Sequence, residues 1–206
     1  EKTSWSTPCV WENEQRTELV AMGSDGITSY NLEGKILWQL KGSTLLTVPT
    51  PLTQHGLLYA GSGFVGQSPR PIYAIRPGAS GDISLKKGET SNAYVAWCQP
   101  MSAPYVPSFL VYRKHLYVLA DNGTLSCCDA LTGAPHYRQR VGGNYTASPW
   151  AYDGKVFCLS ENGETSVVQA GSEFKILARN SLNERCLATP AVAGDRLLIR
   201  TFSRPV

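Results

Sequence analysis

Six cysteines, three histidines and sixteen acidic residues are the groups in this 206-residue chain able to carry chemistry, and their spacing assigns them little of it. The cysteines stand at 9, 98, 127, 128, 158 and 186; only Cys127 and Cys128 are neighbours, and no Cys-x-x-Cys pair of the kind zinc needs occurs. Most sit at apolar strand positions and read as small buried hydrophobes. Calcium requires several converging oxygens. Asp25, Asp121, Asp153, Glu161 and Asp195 each fall at or beside an expected turn, where a short polar side chain serves the turn itself, and no Asp-x-Asp-x-Asp-Gly loop is present. No metal is expected. His55 and His115 flank hairpin turns and His136 precedes Tyr137; without a Gly-x-Ser-x-Gly elbow, no residue is assigned a catalytic role. Gly61-Ser62-Gly63-Phe64-Val65-Gly66 imitates a phosphate loop but lacks the lysine and the following helix.

The elements that would have to position these groups repeat. A Ser/Thr followed by proline opens each unit at Ser6-Thr7-Pro8, Pro49-Thr50-Pro51, Ala147-Ser148-Pro149 and Ala188-Thr189-Pro190, with Pro107-Ser108-Phe109 as a fifth copy. The anchors are 43, 58, 40 and 41 residues apart, the size of a propeller blade except where an insertion at 78–96, rich in Gly, Ser, Lys and Glu, reads as a surface loop. Four and five residues after each later anchor come turn pairs: His55-Gly56, Arg113-Lys114, Asp153-Gly154 and Gly194-Asp195. Asn-Gly steps at Gly123 and Gly163 then turn into a third strand, and no helical period of ten or more residues intervenes.

The pattern predicts an all-β chain, a β-propeller of four-stranded antiparallel blades at about 6–40, 48–100, 106–141 and 146–180, with an incomplete fifth at 187–206. The whole of 1–206 is read as one propeller fragment. A lone blade cannot bury both faces, so stacking must supply the core, and a large aromatic on an outer strand can wedge between neighbours. Trp38 and Tyr137, each closing a strand–turn–strand run, are the expected docking aromatics. Trp97, Tyr105, Tyr145 and Trp150 lie in or beside segments leading into an innermost strand and are the candidates for a binding face, with packing between blades as their competing use.

Composition narrows the rest. Hydrophobic residues at 42% and charged residues at 17% mark a globular chain, and no apolar run reaches membrane-spanning length. A net charge of +3, with Arg113-Lys114-His115 as its densest basic stretch, argues against nucleic acid.

The runs Asp129-Ala130-Leu131-Thr132-Gly133, Trp5-Ser6-Thr7-Pro8, Tyr73 through Asp82, Ala147 through Tyr152 and Gln169 through Phe174 resemble the bacterial pyrroloquinoline-quinone-binding-like (PQQ-like) β-propeller repeat family, relatives in fold of the BamB outer-membrane assembly lipoprotein. The resemblance implies a ring of about eight blades with the missing ones preceding Glu1, so that this chain is its C-terminal half. Two chains completing one ring, or a small ring in which residues 1–5 supply the outer strand of the fifth blade, are the other arrangements. It also implies export to the periplasm or cell envelope.

For function, the expectation is a non-catalytic scaffold binding a protein or a carbohydrate, with no cofactor and with self-association as one way to complete the ring. The alternative is a PQQ- and calcium-dependent quinoprotein oxidoreductase or an inactive relative. Enzymes resembling this repeat use a tryptophan floor, an aspartate base and often a vicinal disulfide. Cys127-Cys128 invites that comparison, but it lies in a strand, where neighbouring side chains point to opposite faces.

Overall fold

The computed structural model describes residues 4–203. Period-two alternation interrupted every few residues by Gly, Asn and Asp leaves no room for a helix, and every regular element among the described residues is a β-strand. The chain divides into two compact units, Glu1–Tyr105 with Ala130–Gly133, and Val106–Asp129 with Ala134–Val206.

In the first unit, β1 (Cys9–Glu12), β2 (Thr17–Gly23), β3 (Gly26–Tyr30) and β4 (Ile36–Lys41) form one antiparallel sheet. A second sheet is built from β5 (Leu52–Gln54), β6 (Leu57–Gly61), β7 (Ile72–Ile75) and β9 (Val95–Gln99). The second unit holds β10 (Leu110–Tyr112), β11 (His115–Leu119), β12 (Thr124–Asp129) and β13 (Pro135–Arg140). It also holds β14 (Trp150–Tyr152), β15 (Lys155–Leu159), β16 (Glu164–Gln169) and β17 (Ile176–Ser181), then the two-stranded β18 (Ala191–Ala193) and β19 (Arg196–Leu198). These are four propeller-type blades and the start of a fifth.

The insertion at 78–96 is largely exposed, as its composition predicts, but it is not free of the sheet. It carries β8 (Gly81–Asp82), which pairs in parallel with Trp38 and Gln39 on β4, and it buries Ala79 and Ile83. An outer strand exposes unpaired amides and carbonyls, and β8 covers part of that edge. Lys41 binds Asp82 at 2.9 Å, and Ser84 donates to the same carboxylate at 2.5 Å. The Ser84 hydrogen bond, followed by Lys41, holds the Asp82 carboxyl well below the usual carboxylate range.

Register makes the four sheets copies of one another. Across second, third and fourth strands run the rows Val20-Ser29-Trp38, Tyr59-Ala74-Trp97, Tyr117-Cys127-Tyr137 and Phe157-Val167-Ala178. Immediately after each row the third strand slips against the fourth in a β-bulge, at Ser29/Tyr30, Ala74/Ile75, Cys127/Cys128 and Val167/Val168. Cys127 and Cys128 therefore occupy a bulge, not a regular stretch of strand, and the bulge belongs to the repeat and not to the cysteines.

The Ser/Thr-Pro lead-ins have a physical reason as well. Ser4 and Thr47 hydroxyls meet at 2.8 Å and Ser6 Oγ donates to Pro49 O at 2.8 Å; in the second unit Ser108 N donates to Ser148 Oγ and Ser148 N to Thr189 Oγ1, both at 2.9 Å. Within each unit, one lead-in is stitched to the next. Ser4 and Trp5 are engaged there, Trp5 N donating to Thr47 O at 2.8 Å, and not in the fifth sheet; residues 1–3 and 204–206 of the expected strands lie outside the described residues.

At the hairpins between second and third strands, Gly123 and Gly163 have φ of +79° and +78° and donate back to Ala120 O and Ser160 O. A Cβ on Gly163 would lie 2.0 Å from Glu184 O, whereas one on Gly34 (φ +80°) meets nothing. Gly163→Ala is expected to cost about 2–4 kcal/mol from backbone strain plus the collision. Gly34→Ala, with strain alone, is expected to cost about 1–2 kcal/mol. Denaturant melts check this, and equal costs would contradict the close approach at Gly163.

Candidate functional site

The hairpin ends of the third and fourth sheets form an open hollow of about 330 Å³ lined by Val106, Asp121, Asn122, Asn144, Tyr145, Thr146 and Glu161. Its acidic residues are held by the turns that carry them. Asp121 Oδ1 accepts Val106 N at 3.0 Å and Glu161 Oε1 accepts Thr146 Oγ1 at 2.7 Å, while Tyr145 N and Cys186 N donate to the Asp121 and Glu161 carbonyls. Two carboxylates and two amide side chains on rigid turns offer hydrogen bonds to donors on a partner. They do not assemble a nucleophile with a base.

The four aromatics singled out from sequence differ in their burial and contacts. Tyr145 is buried beneath the hollow, and burial pushes its hydroxyl up to about 12. Tyr105 is half-buried, edge-on to Phe64 with ring centres 5.3 Å apart. Trp150 is half-buried and stacks on Phe157 at 5.3 Å, across strands β14 and β15. Trp97 is in the core.

Trp97 occupies the fourth-strand position that Trp38 and Tyr137 hold in their sheets. Its indole N–H donates to Ala130 O at 3.0 Å, the same carbonyl that receives the Tyr59 hydroxyl at 3.0 Å, and Gln99 Nε2 donates to Gly133 O. Gly133 lets the turn lie flat on the ring, since a Cβ there would stand 2.7 Å from Trp97 Cδ2. Tyr117 repeats the device, accepting Gly171 N at 2.8 Å, and Cys127 Sγ donates to Gly171 O at 3.5 Å. Trp38 sits among Val20, Met22, Ile27 and Leu40 of its own sheet and Leu58, Ala60, Tyr73 and Ile75 of the second. Tyr137 packs edge-on to Phe174 at 5.4 Å, beside Cys127.

Sequence reasoning missed Glu18, the one charged residue fully buried among those described. Its Oε1 accepts Arg16 Nε at 3.0 Å and Asn13 Nδ2 at 3.1 Å; its Oε2 accepts Ser29 Oγ at 2.5 Å and Trp38 Nε1 at 2.7 Å. Arg16 Nη2 in turn donates to Ala79 O at 2.5 Å. Four donors on its two oxygens make the carboxylate a tie between strands. A Glu flanked at short range by Arg and Asn within an alternating strand was the available signal.

Among the described residues no three His, Cys, Asp or Glu side chains stand close enough to hold a metal ion. The Trp38 and Trp97 indoles are committed inside sheet joints, and all six cysteines carry free thiols.

Compared with known proteins, residues 95–173 match the sequence profile of the family described as outer membrane protein assembly factor BamB. No curated protein sequence matches the chain. The crystal structure of BamB from Moraxella catarrhalis aligns with a TM-score of 0.63 over 94% of this chain, at 13% identity. The chain spans 57% of the length of that structure. The fold is thus that of a BamB-like β-propeller, in keeping with the PQQ-like repeat resemblance. No helix among the described residues is long and apolar enough to cross a membrane.

Two expectations follow. Trp97→Phe keeps the ring but deletes one of two donors to Ala130 O and should cost about 1 kcal/mol, while Trp97→Ala opens a cavity worth about 3–5 kcal/mol. Similar losses for both would show that the indole ring does not fill the joint. Burial also raises the Cys127, Cys128 and Cys158 thiols from 9.0 to about 12. Because the folded state holds these thiols neutral, their contribution is intact below pH 9 and is lost as pH climbs toward 12. Urea melts across that range should show declining stability, with Cys158→Ala flattening the slope. A pH-independent midpoint would contradict the burial.

Proposed function

We propose that this chain, a β-propeller of the BamB-like repeat type, is a non-catalytic scaffold that presents the Asp121/Glu161 hollow to a protein partner in the cell envelope. One observation carries the reading: the ionic and hydroxyl groups that chemistry would require are occupied in fastening strands, while the hollow displays acceptors on rigid turns. Glu18 is tied by four donors, and the lead-in hydroxyls of Ser148 and Thr189 accept from the backbone N–H groups of Ser108 and Ser148. BamB is described as an outer membrane protein assembly factor, and the matching region, 95–173, contains Asp121, Asn144 and Glu161. Loops fixed by a rigid scaffold are where such folds bind. A partner rich in backbone amides, lysine or arginine suits two carboxylates and two amide side chains.

A photo-crosslinking residue placed at Asn144 in native cells should capture one discrete envelope protein, and the double variant Asp121→Lys/Glu161→Lys should abolish the adduct, with the lost Val106 and Thr146 hydrogen bonds costing about 1–3 kcal/mol and a circular dichroism spectrum that shows the chain still folded. A glycan captured in place of a protein, or an adduct indifferent to the double variant, would refute the assignment. Titration with PQQ and calcium, followed by tryptophan fluorescence, should give no saturable quenching. Chelator-sensitive saturation would turn the reading toward an oxidoreductase.

A further inference from the structure

The bulge that each of the four sheets carries leaves one fourth-strand residue without a partner on the third strand. Trp38 pairs with Ser29 and Ile36 with Tyr30, so Leu37 is the extra residue; its counterparts are Ala96, His136 and Leu177. A bulge re-aims the side chain at the position it frees. Two residues before the docking row, the second strands carry Glu18, Leu57, His115 and Lys155. Of the four sheets, the third alone has histidine at both positions, so nothing in the repeat itself calls for the pair.

The two rings meet although β12 runs between their strands. Their centres are 5.1 Å apart, with the planes at 72°. Metal–nitrogen bonds of about 2.0–2.1 Å at tetrahedral angles set two chelating imidazoles with ring centres about 5 Å apart. The pair therefore already stands at chelating separation. Edge-to-face packing would account for that separation too, but not for a second observation. His115 Nδ1 is buried and has no hydrogen-bond partner among the described residues. Glu18, at the same register position in the first sheet, has both carboxylate oxygens met by donors.

A buried polar atom without a partner is a place for a water or an ion, and imidazole nitrogen suits zinc, copper and nickel. Burial, followed by His136, holds the His115 ring below its usual protonation range, with Lys114 assisting and Asp129 opposing. A neutral ring offers the lone pair that a metal takes. His136 is exposed, so an ion can reach the pair from solvent.

We propose that His115 and His136 together bind one divalent transition cation of the zinc, nickel or copper type, which clamps β11 to β13 while water fills its remaining coordination positions. Among the described residues no third His, Cys, Asp or Glu side chain joins the pair, which makes this an exchangeable ion and not a closed structural one. The site goes beyond the scaffold reading and does not depend on the Asp121/Glu161 hollow.

The experiment titrates the 206-residue chain with zinc chloride by calorimetry, beside His115→Gln, His136→Gln and, as a control at the remaining histidine, His55→Asn. His55 has a φ of +53°, which asparagine tolerates. The parent and His55→Asn should take up one ion per chain with equal affinity. His115→Gln and His136→Gln should each lose saturable uptake while keeping the parent's circular dichroism spectrum. On the parent itself, nuclear magnetic resonance should show the imidazole nitrogens of His115 and His136 shifting together as zinc is added, with those of His55 unmoved. No saturable uptake by the parent would overturn the inference. Uptake indifferent to both substitutions, or zinc that moves only one of the two imidazoles, would overturn it as well.

Discussion

A four-stranded sheet with apolar residues on both faces must be covered twice, and this constraint orders the whole chain. Strands such as β6, buried at every position from Leu57 to Gly61, satisfy no local preference that a single hairpin would meet; Leu58 and Ala60 on one face are covered by the first sheet, and Tyr59 on the other meets the Ala130 turn. The joint between sheets is accordingly where the largest side chains are spent. A buried indole of about 200 Å² contributes about 5 kcal/mol at 25 cal/mol/Å². The Tyr59 and Trp97 donors that meet on Ala130 O then fix how the ring seats against the turn.

That arrangement bears directly on function. Side chains that look chemically able in the sequence are drawn into the fastening. Glu18 binds β2 to β3 and β4 through Ser29 and Trp38, the Ser/Thr lead-ins bond to each other, and Cys127 lies beside Tyr117 and Tyr137 in the core. At the sheet ends the turn chemistry is different: Asp121 and Glu161 hold lead-in residues in place and still line an open hollow. Rigid fastening and outward presentation are two consequences of one layout.

The propeller architecture was legible because turn residues and proline anchors punctuate the chain at blade spacing. Pro8, Pro51, Pro149 and Pro190 set the count, and Gly123 and Gly163 sit where a positive φ and close backbone approach exclude other residues. The role of Trp97 was hidden by the insertion at 78–96, which stretches one spacing to 58 and places the tryptophan farther along the sequence from its anchor than Trp38, although the two share one register position. Tyr145 illustrates a different limit: an aromatic beside a strand lead-in points inward or outward according to register, which the residue type does not encode. The bulge at Cys127/Cys128 is a backbone event with no side-chain signature, and β8 is recognised only from the strand edge that it covers. Glu18 was passed over because a carboxylate in an alternating strand reads as solvent-facing until its four donors are seen.

The most direct test of the joint is proton exchange at the tryptophan indoles, read by nuclear magnetic resonance on the chain labelled at its five tryptophans. The Trp38 and Trp97 N–H groups, both buried and hydrogen-bonded inside a joint, should persist until the chain unfolds globally, while that of Trp5, 57% exposed, should exchange at once. If the Trp97 proton exchanges as fast as that of Trp5, the sheets are not fastened in the way described here.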